Sequence, residues 1–100
     1  MGYARAVSHR LAIERQYPRA ARLQRRQGTA LLRLVIDPAG GLSVPPEVVR
    51  SAGHRALDSE AVRMALAAAP FPPPPRTARA LAIDVPVEFT LEGSSGMSPP

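Results

Sequence analysis

An α+β domain, with helices packed on one face of a three-stranded antiparallel sheet in the order second-first-third, is what this sequence predicts. Three observations carry that expectation. The run LAIDVPVEFTL (Leu81 to Leu91) places Leu81, Ile83, Val85, Val87, Phe89 and Leu91 on one face and Ala82, Asp84, Pro86, Glu88 and Thr90 on the other, the period-2 pattern of a half-buried strand. TALLRLVID (Thr29 to Asp37) is apolar enough on both faces for a central strand. The remaining strands both contain proline, Pro86 in the last and Pro45-Pro46 in the second. A residue without a backbone N–H belongs at a sheet edge.

One hundred residues with 45% hydrophobic content make one small domain, whose core buries roughly two thirds of the surface the unfolded chain exposes. The chain has no cysteine, which excludes a disulfide framework and a thiolate zinc site. Its opening, MGYARAVSHRLAIERQYP, has no apolar run of the length a signal peptide or a membrane span needs. All thirteen basic residues are arginine, and the net charge is +5. That charge favours encounter with acidic partners. With two tyrosines and two phenylalanines, and neither phenylalanine among basic residues, the stacking platform of a single-strand nucleic-acid binder is missing.

Along the chain, Val7 and Leu11, with Tyr3 in phase, recur at helical spacing over Tyr3 to about Ile13. Gln16-Tyr17-Pro18 interrupts the pattern, because the residue before a proline avoids the helical region. Pro18 suits a first helical position for RAARLQRRQ, and Gly28 suits a left-handed stop after it. The arginines at 22, 25 and 26 lie where a helix dipole favours cations. After the strand Thr29 to Asp37, Asp37-Pro38-Ala39-Gly40-Gly41 supplies turn chemistry for a hairpin. Leu42 to about Arg50 returns as its partner, with Pro45-Pro46 breaking the ladder. Asp58 reads as the N-cap of a helix from Ser59 to about Ala69, with Leu57 and Val62 as a hydrophobic staple. Pro70 stops it. PFPPPP (Pro70 to Pro75) reads as a stiff extended connector rather than a ligand for a proline-binding module. GSSGMSPP at the end has the composition of a flexible tail.

The hairpin makes the first two strands antiparallel, and the intervening helix returns the third strand parallel to the second. It therefore pairs on the free side of the first, giving a split βαβ arrangement. The expected core is Leu32, Leu34, Ile36, Val62, Ile83, Val85, Val87 and Phe89. The expected domain limits are an N-terminal helical segment over 1–15, a module over 16–92 and a tail over 93–100.

This order of motifs resembles the C-terminal domain of the TonB family of periplasmic energy transducers. The resemblance rests on Tyr17-Pro18 followed by Ala21, on Gly28 opening a strand that ends Ile36-Asp37 with Gly40 in the turn, on VVRSAG (Val48 to Gly53), on LDSEA (Leu57 to Ala61), on PFPPPP and on VPVEFTL (Val85 to Leu91). It departs from the family at Ala52, commonly serine, and at Pro45-Pro46, which shorten the second strand. What the resemblance implies is a periplasmic module without bond chemistry or cofactor. It would grip the N-terminal TonB box of an outer-membrane transporter by strand addition, transmitting work from inner-membrane motor proteins, as in siderophore transport. Carried onto this chain, the resemblance implicates Gln16, Tyr17 and Pro18 with Ala82, Ile83, Asp84, Val85, Glu88 and Thr90 of the last strand. A full-length transducer also has a membrane anchor and a Pro-rich spacer, so the expectation is an excised domain rather than a free-standing homologue.

Blander readings stand beside these. Tyr17 also suits a core position ahead of a helix. His9 and His54 lack ligands at metal spacing. Ser51, His54 and Asp58 have the residue types of a triad but lie in one local turn with no oxyanion site. Besides the peptide-binding transducer, a basic nucleic-acid binder and a self-associating structural domain stay open, the last through strand swapping at an exposed edge. On the leading, peptide-binding reading no nucleic-acid partner is expected.

Overall fold

Alternation along the most apolar strand organises the molecule. In the computed structural model, which describes residues 2–75 and 79–91, β1 (Gly28–Ile36) buries Ala30, Leu32, Leu34 and Ile36 completely, while Thr29 and Arg33 face solvent. It is the central strand of a sheet ordered β2-β1-β3. β3 (Leu81–Phe89) pairs with it antiparallel over its whole length, from Gly28 opposite Phe89 to Ile36 opposite Leu81. β2 (Glu47–Arg50) is short. Its ladder is interrupted by a bulge at Leu31/Leu32, and only an isolated bridge, Ile36 to Leu42, continues the hairpin beyond Pro45-Pro46. The two prolines removed the first half of the expected second strand by withholding ladder donors.

Three helices complete the described structure: α1 (Tyr3–Ile13), α2 (Arg19–Leu23) and α3 (Arg55–Ala68). α1 packs on β3 and α3, whereas α3 packs on β1 and β2. Val7 and Leu11 of α1 thus join Leu57, Ala61, Met64, Ala65 and Ala68 of α3 in one core with the inward faces of the sheet. Of the residues expected in that core, Val62 and Ile83 reach only partial burial, the latter on an edge strand with no neighbouring strand beyond it among the described residues.

Two local boundaries differ from the sequence expectation. The α3 helix begins at Arg55, capped by His54, whose Nδ1 accepts from the Ala56 N–H at 3.2 Å. Asp58 sits inside the first turn, where acidic groups are favoured, and reaches back to the Ser51 hydroxyl and the Ala52 N–H. The stop after α2 is made by Arg25 rather than Gly28. Arg25 holds φ +54°, and the Arg26 N–H donates to the Ala21 carbonyl in a Schellman arrangement. Gly28 is required for a different reason: a Cβ there would lie 2.1 Å from the Ala52 carbonyl oxygen.

The proline-rich connector is anchored by its aromatic residue. Phe71 is 3% exposed, and its N–H donates to the Gly40 carbonyl at 2.8 Å. Gly40, at φ +99°, lies so close that a Cβ would sit 2.0 Å from the Phe71 oxygen. The expected tail over 93–100 lies outside the described residues.

Candidate functional site

Residues directly opposite in an antiparallel ladder alternate between pairs that exchange backbone hydrogen bonds and pairs whose backbone groups point away from each other. The Val35 carbonyl accepts from the Ser43 N–H, so Val35 turns toward the β2 side. Its β3 partner Ala82 therefore turns outward, as do Asp84, Pro86 and Glu88, which share its phase in the register. The Glu88 carbonyl agrees, because it accepts from the Arg15 guanidinium at 3.0 Å rather than from β1. Pro86 thus occupies an outward position, where its missing N–H costs the sheet nothing. The outer edge of β3, which pairs with no strand among the described residues, presents N–H groups at Ala82, Asp84 and Glu88 and carbonyls at Ala82, Asp84 and Pro86.

Ile83 and Val85 stand in the opposite phase. Their backbone groups face β1 and their side chains face the helices, Val85 being 1% exposed. They support the edge from behind. Thr90 follows the last residue of β3. On the outer face Arg33 and Asp84, directly opposite in register, form a two-pronged pair at 2.9 and 3.0 Å.

The Gln16-Tyr17-Pro18 segment lies at the Phe89 end of this edge. Tyr17 packs edge-on against Phe89, with ring centroids 5.8 Å apart and planes at 86°, and its hydroxyl donates to the Arg26 carbonyl. The aromatic core role and the position beside the edge therefore coincide in one side chain. Burial raises the Tyr17 hydroxyl above its ordinary pKa, opposed by the nearby charges of Arg15 and Arg22. Pro18, at φ −60°, precedes α2 as its N-cap.

The clamp that fixes this strap was not legible in the sequence. Glu60, 8% exposed, accepts from the Gln16 N–H at 2.7 Å and from the Arg63 Nε and Nη2 at 2.8 Å each. Arg63 Nη2 also donates to the Glu14 carbonyl. The Glu60/Arg63 spacing is an ordinary helix pair. Its partner segment lies 44 positions away, and no pattern announces that contact. Arg15 is a second missed residue, adjacent to Gln16 but bonded 73 positions away.

Bonding by Arg33 holds the Asp84 carboxyl below its ordinary pKa, with burial opposing and the Arg33 charge assisting. A carboxylate depressed in the folded state contributes stability above its unfolded pKa, and that contribution is lost as pH falls through the depressed value. Both side chains are well exposed, 47% and 38%, so solvent screening keeps the contribution small. Asp84→Asn is expected to be less stable than the parent at neutral pH and indistinguishable from it at the acid end, read from urea midpoints across that range.

Among the described residues no group of three or more His, Asp or Glu is placed to hold a metal, and no helix is long and apolar enough to cross a membrane. The side chains of Ser51, His54 and Asp58 are engaged with backbone around the start of α3.

The family model described as Gram-negative bacterial TonB protein C-terminal matches residues 13–91. Among solved structures, a longer form of the Helicobacter pylori TonB C-terminal domain is similar at 20% identity and TM-score 0.77, covering 89% of this chain and 80% of that one. A shorter form of the same domain gives 20% identity and TM-score 0.71, covering 92% and 97%. The HasB C-terminal domain shares 31% identity at TM-score 0.56, covering 92% of this chain and 78% of that one. A search of curated proteins gives no match. The chain belongs to the TonB C-terminal domain family. Its members are non-catalytic modules of energy transduction to outer-membrane transporters.

Proposed function

We propose that this domain grips an extended N-terminal peptide of an outer-membrane transporter by strand addition along β3. The observation that carries the reading is the outward row of backbone groups at Ala82, Asp84 and Pro86, for which no partner is present among the described residues. Main-chain hydrogen bonds would supply affinity, and alternate side chains the register. Gln16, Tyr17 and Pro18 flank the Phe89 end of that row, with Arg15 over the Glu88 carbonyl. Glu88 and Thr90 then mark where an added strand meets the strap. In this reading residues 1–15 lead into a binding module over 16–92. The module works in the periplasm and receives force through a preceding segment coupled to inner-membrane motor proteins. Siderophore import is the transport process we propose for it.

The test is titration of the isotope-labelled domain with N-terminal peptides of outer-membrane transporters at two salt concentrations. Backbone pairing predicts shifts centred on Ala82 and Asp84 with weak salt dependence. A steep fall in affinity with salt would indicate contacts dominated by charge instead. Shifts that depend on protein concentration alone would indicate a strand-swapped dimer.

A further inference from the structure

We propose that α1 adds a side-chain pocket to the β3 edge, and that this pocket selects one branched aliphatic side chain from the incoming strand at the position opposite Val87. The inference rests on the strand-addition reading above and deepens it. α1 lies almost wholly outside the segment that matches the family, which begins at residue 13. Its packing on β3 places it at the edge strand rather than over the sheet centre. Between α1 and the Pro86–Glu88 stretch opens a pocket of about 210 Å³. Its apolar lining from the helix side comes from Leu11, Ala12 and Met64, with Ser8, Arg15 and Glu88 as the polar contributors. Leu11 and Met64 are 2% and 1% exposed, so the base of the pocket is part of the packed core.

Directly opposed residues of an antiparallel pair project to the same face of the sheet. Val87 faces the helices at 4% exposure. The residue of an added strand opposite Val87 therefore points to the helix side, where the pocket opens. The ladder is weakest at this place. Pro86 offers a carbonyl but no N–H, and the Glu88 carbonyl is already occupied by Arg15. Burying an apolar side chain here restores affinity where backbone pairing falls short. Arg15 and Glu88 at the mouth oppose each other in charge, so the preference for an apolar side chain rests on the lining. The apolar lining disfavours a carboxylate.

The experiment uses the 100-residue chain, isotope-labelled, with nine-residue peptides of alternating threonine and alanine in which one leucine is walked through successive positions. One leucine position should bind about tenfold more tightly than the leucine-free peptide, since an open pocket buries the apolar side chain in part. That peptide should also shift the Met64 methyl resonance. Ala12→Phe, at an exposed position of α1, should erase the leucine advantage and leave the leucine-free affinity unchanged. Ser8→Phe fills the same pocket from the next turn and serves if Ala12→Phe does not fold. If Ala82 and Asp84 amides shift but no leucine position is favoured, or the advantage survives both fillers, the pocket is overturned and strand addition stands. Peptides that leave those amides unmoved overturn both. Edge resonances that shift with protein concentration alone assign the pocket to a second copy of the chain and overturn the proposal.

Discussion

Phe89→Ala is expected to remove about 3–5 kcal/mol of stability, the range for deleting a fully buried phenylalanine and leaving a cavity behind. Phe89 is 0% exposed and is the largest of the completely buried side chains. It lies opposite Gly28 in the ladder, where no side chain exists to fill the space, and Tyr17 rests edge-on against it. The loss is large beside the roughly 5–15 kcal/mol that holds a typical domain together. Urea titration should show a lowered midpoint, and the Tyr17 resonances of the folded fraction should move with it because their platform has gone. An unchanged midpoint would mean that the inward face of β3 does not carry the core.

Proline at alternate positions of β3 is expected to separate folding from binding. At Ala82 the backbone N–H points outward, in the phase where Pro86 already stands. Ala82→Pro should therefore fold and yet bind a transporter peptide about tenfold or more weakly, because one donor is lost and the ring crowds the incoming strand. Ile83→Pro removes a ladder donor to β1 and should unfold the domain. Asp84→Pro is the less clean variant, since it also breaks the pair with Arg33. Calorimetry for binding and circular dichroism for folding read the two effects independently. Equal binding by a folded Ala82→Pro variant would move the peptide to another surface.

Much of this arrangement is written locally. Strict alternation in β3 gives its two faces, an apolar run on both faces marks β1 as central, and proline in the second and third strand segments gives the edges, so the sheet order follows from hairpin and crossover geometry alone. The outward phase of Pro86 comes from the register with β1 rather than from the sequence. What escaped the sequence depends on partners far along the chain or on competition between neighbours. Asp58 has the chemistry of an N-cap, but Ser51 and Ala52 claim its carboxylate, and His54 caps the helix instead. Gly28 looks like a helix stop because glycine so often is one, whereas its cause is the Ala52 carbonyl across the fold. PFPPPP reads in sequence as a stiff connector, whereas the seat of Phe71 against Gly40 required the folded chain.

The site divides in the same way. Gln16, Tyr17 and Pro18 and the β3 edge were visible as motifs. The Glu60 and Arg63 clamp that holds the strap was not, nor was the Arg15 bond to Glu88, because each joins segments that only the tertiary fold brings together.

Hydrogen exchange at single-residue resolution, with and without a bound transporter peptide, tests strand addition most directly. In the free domain the amides of Ile83, Val85 and Val87 should exchange slowly, while those of Ala82 and Asp84 exchange fast because their N–H groups face outward. Saturating peptide should slow Ala82 and Asp84 strongly and leave the inward set as it was. If Ala82 and Asp84 are already protected in the free monomer, or stay fast while the peptide is bound, the β3 edge does not receive the partner strand.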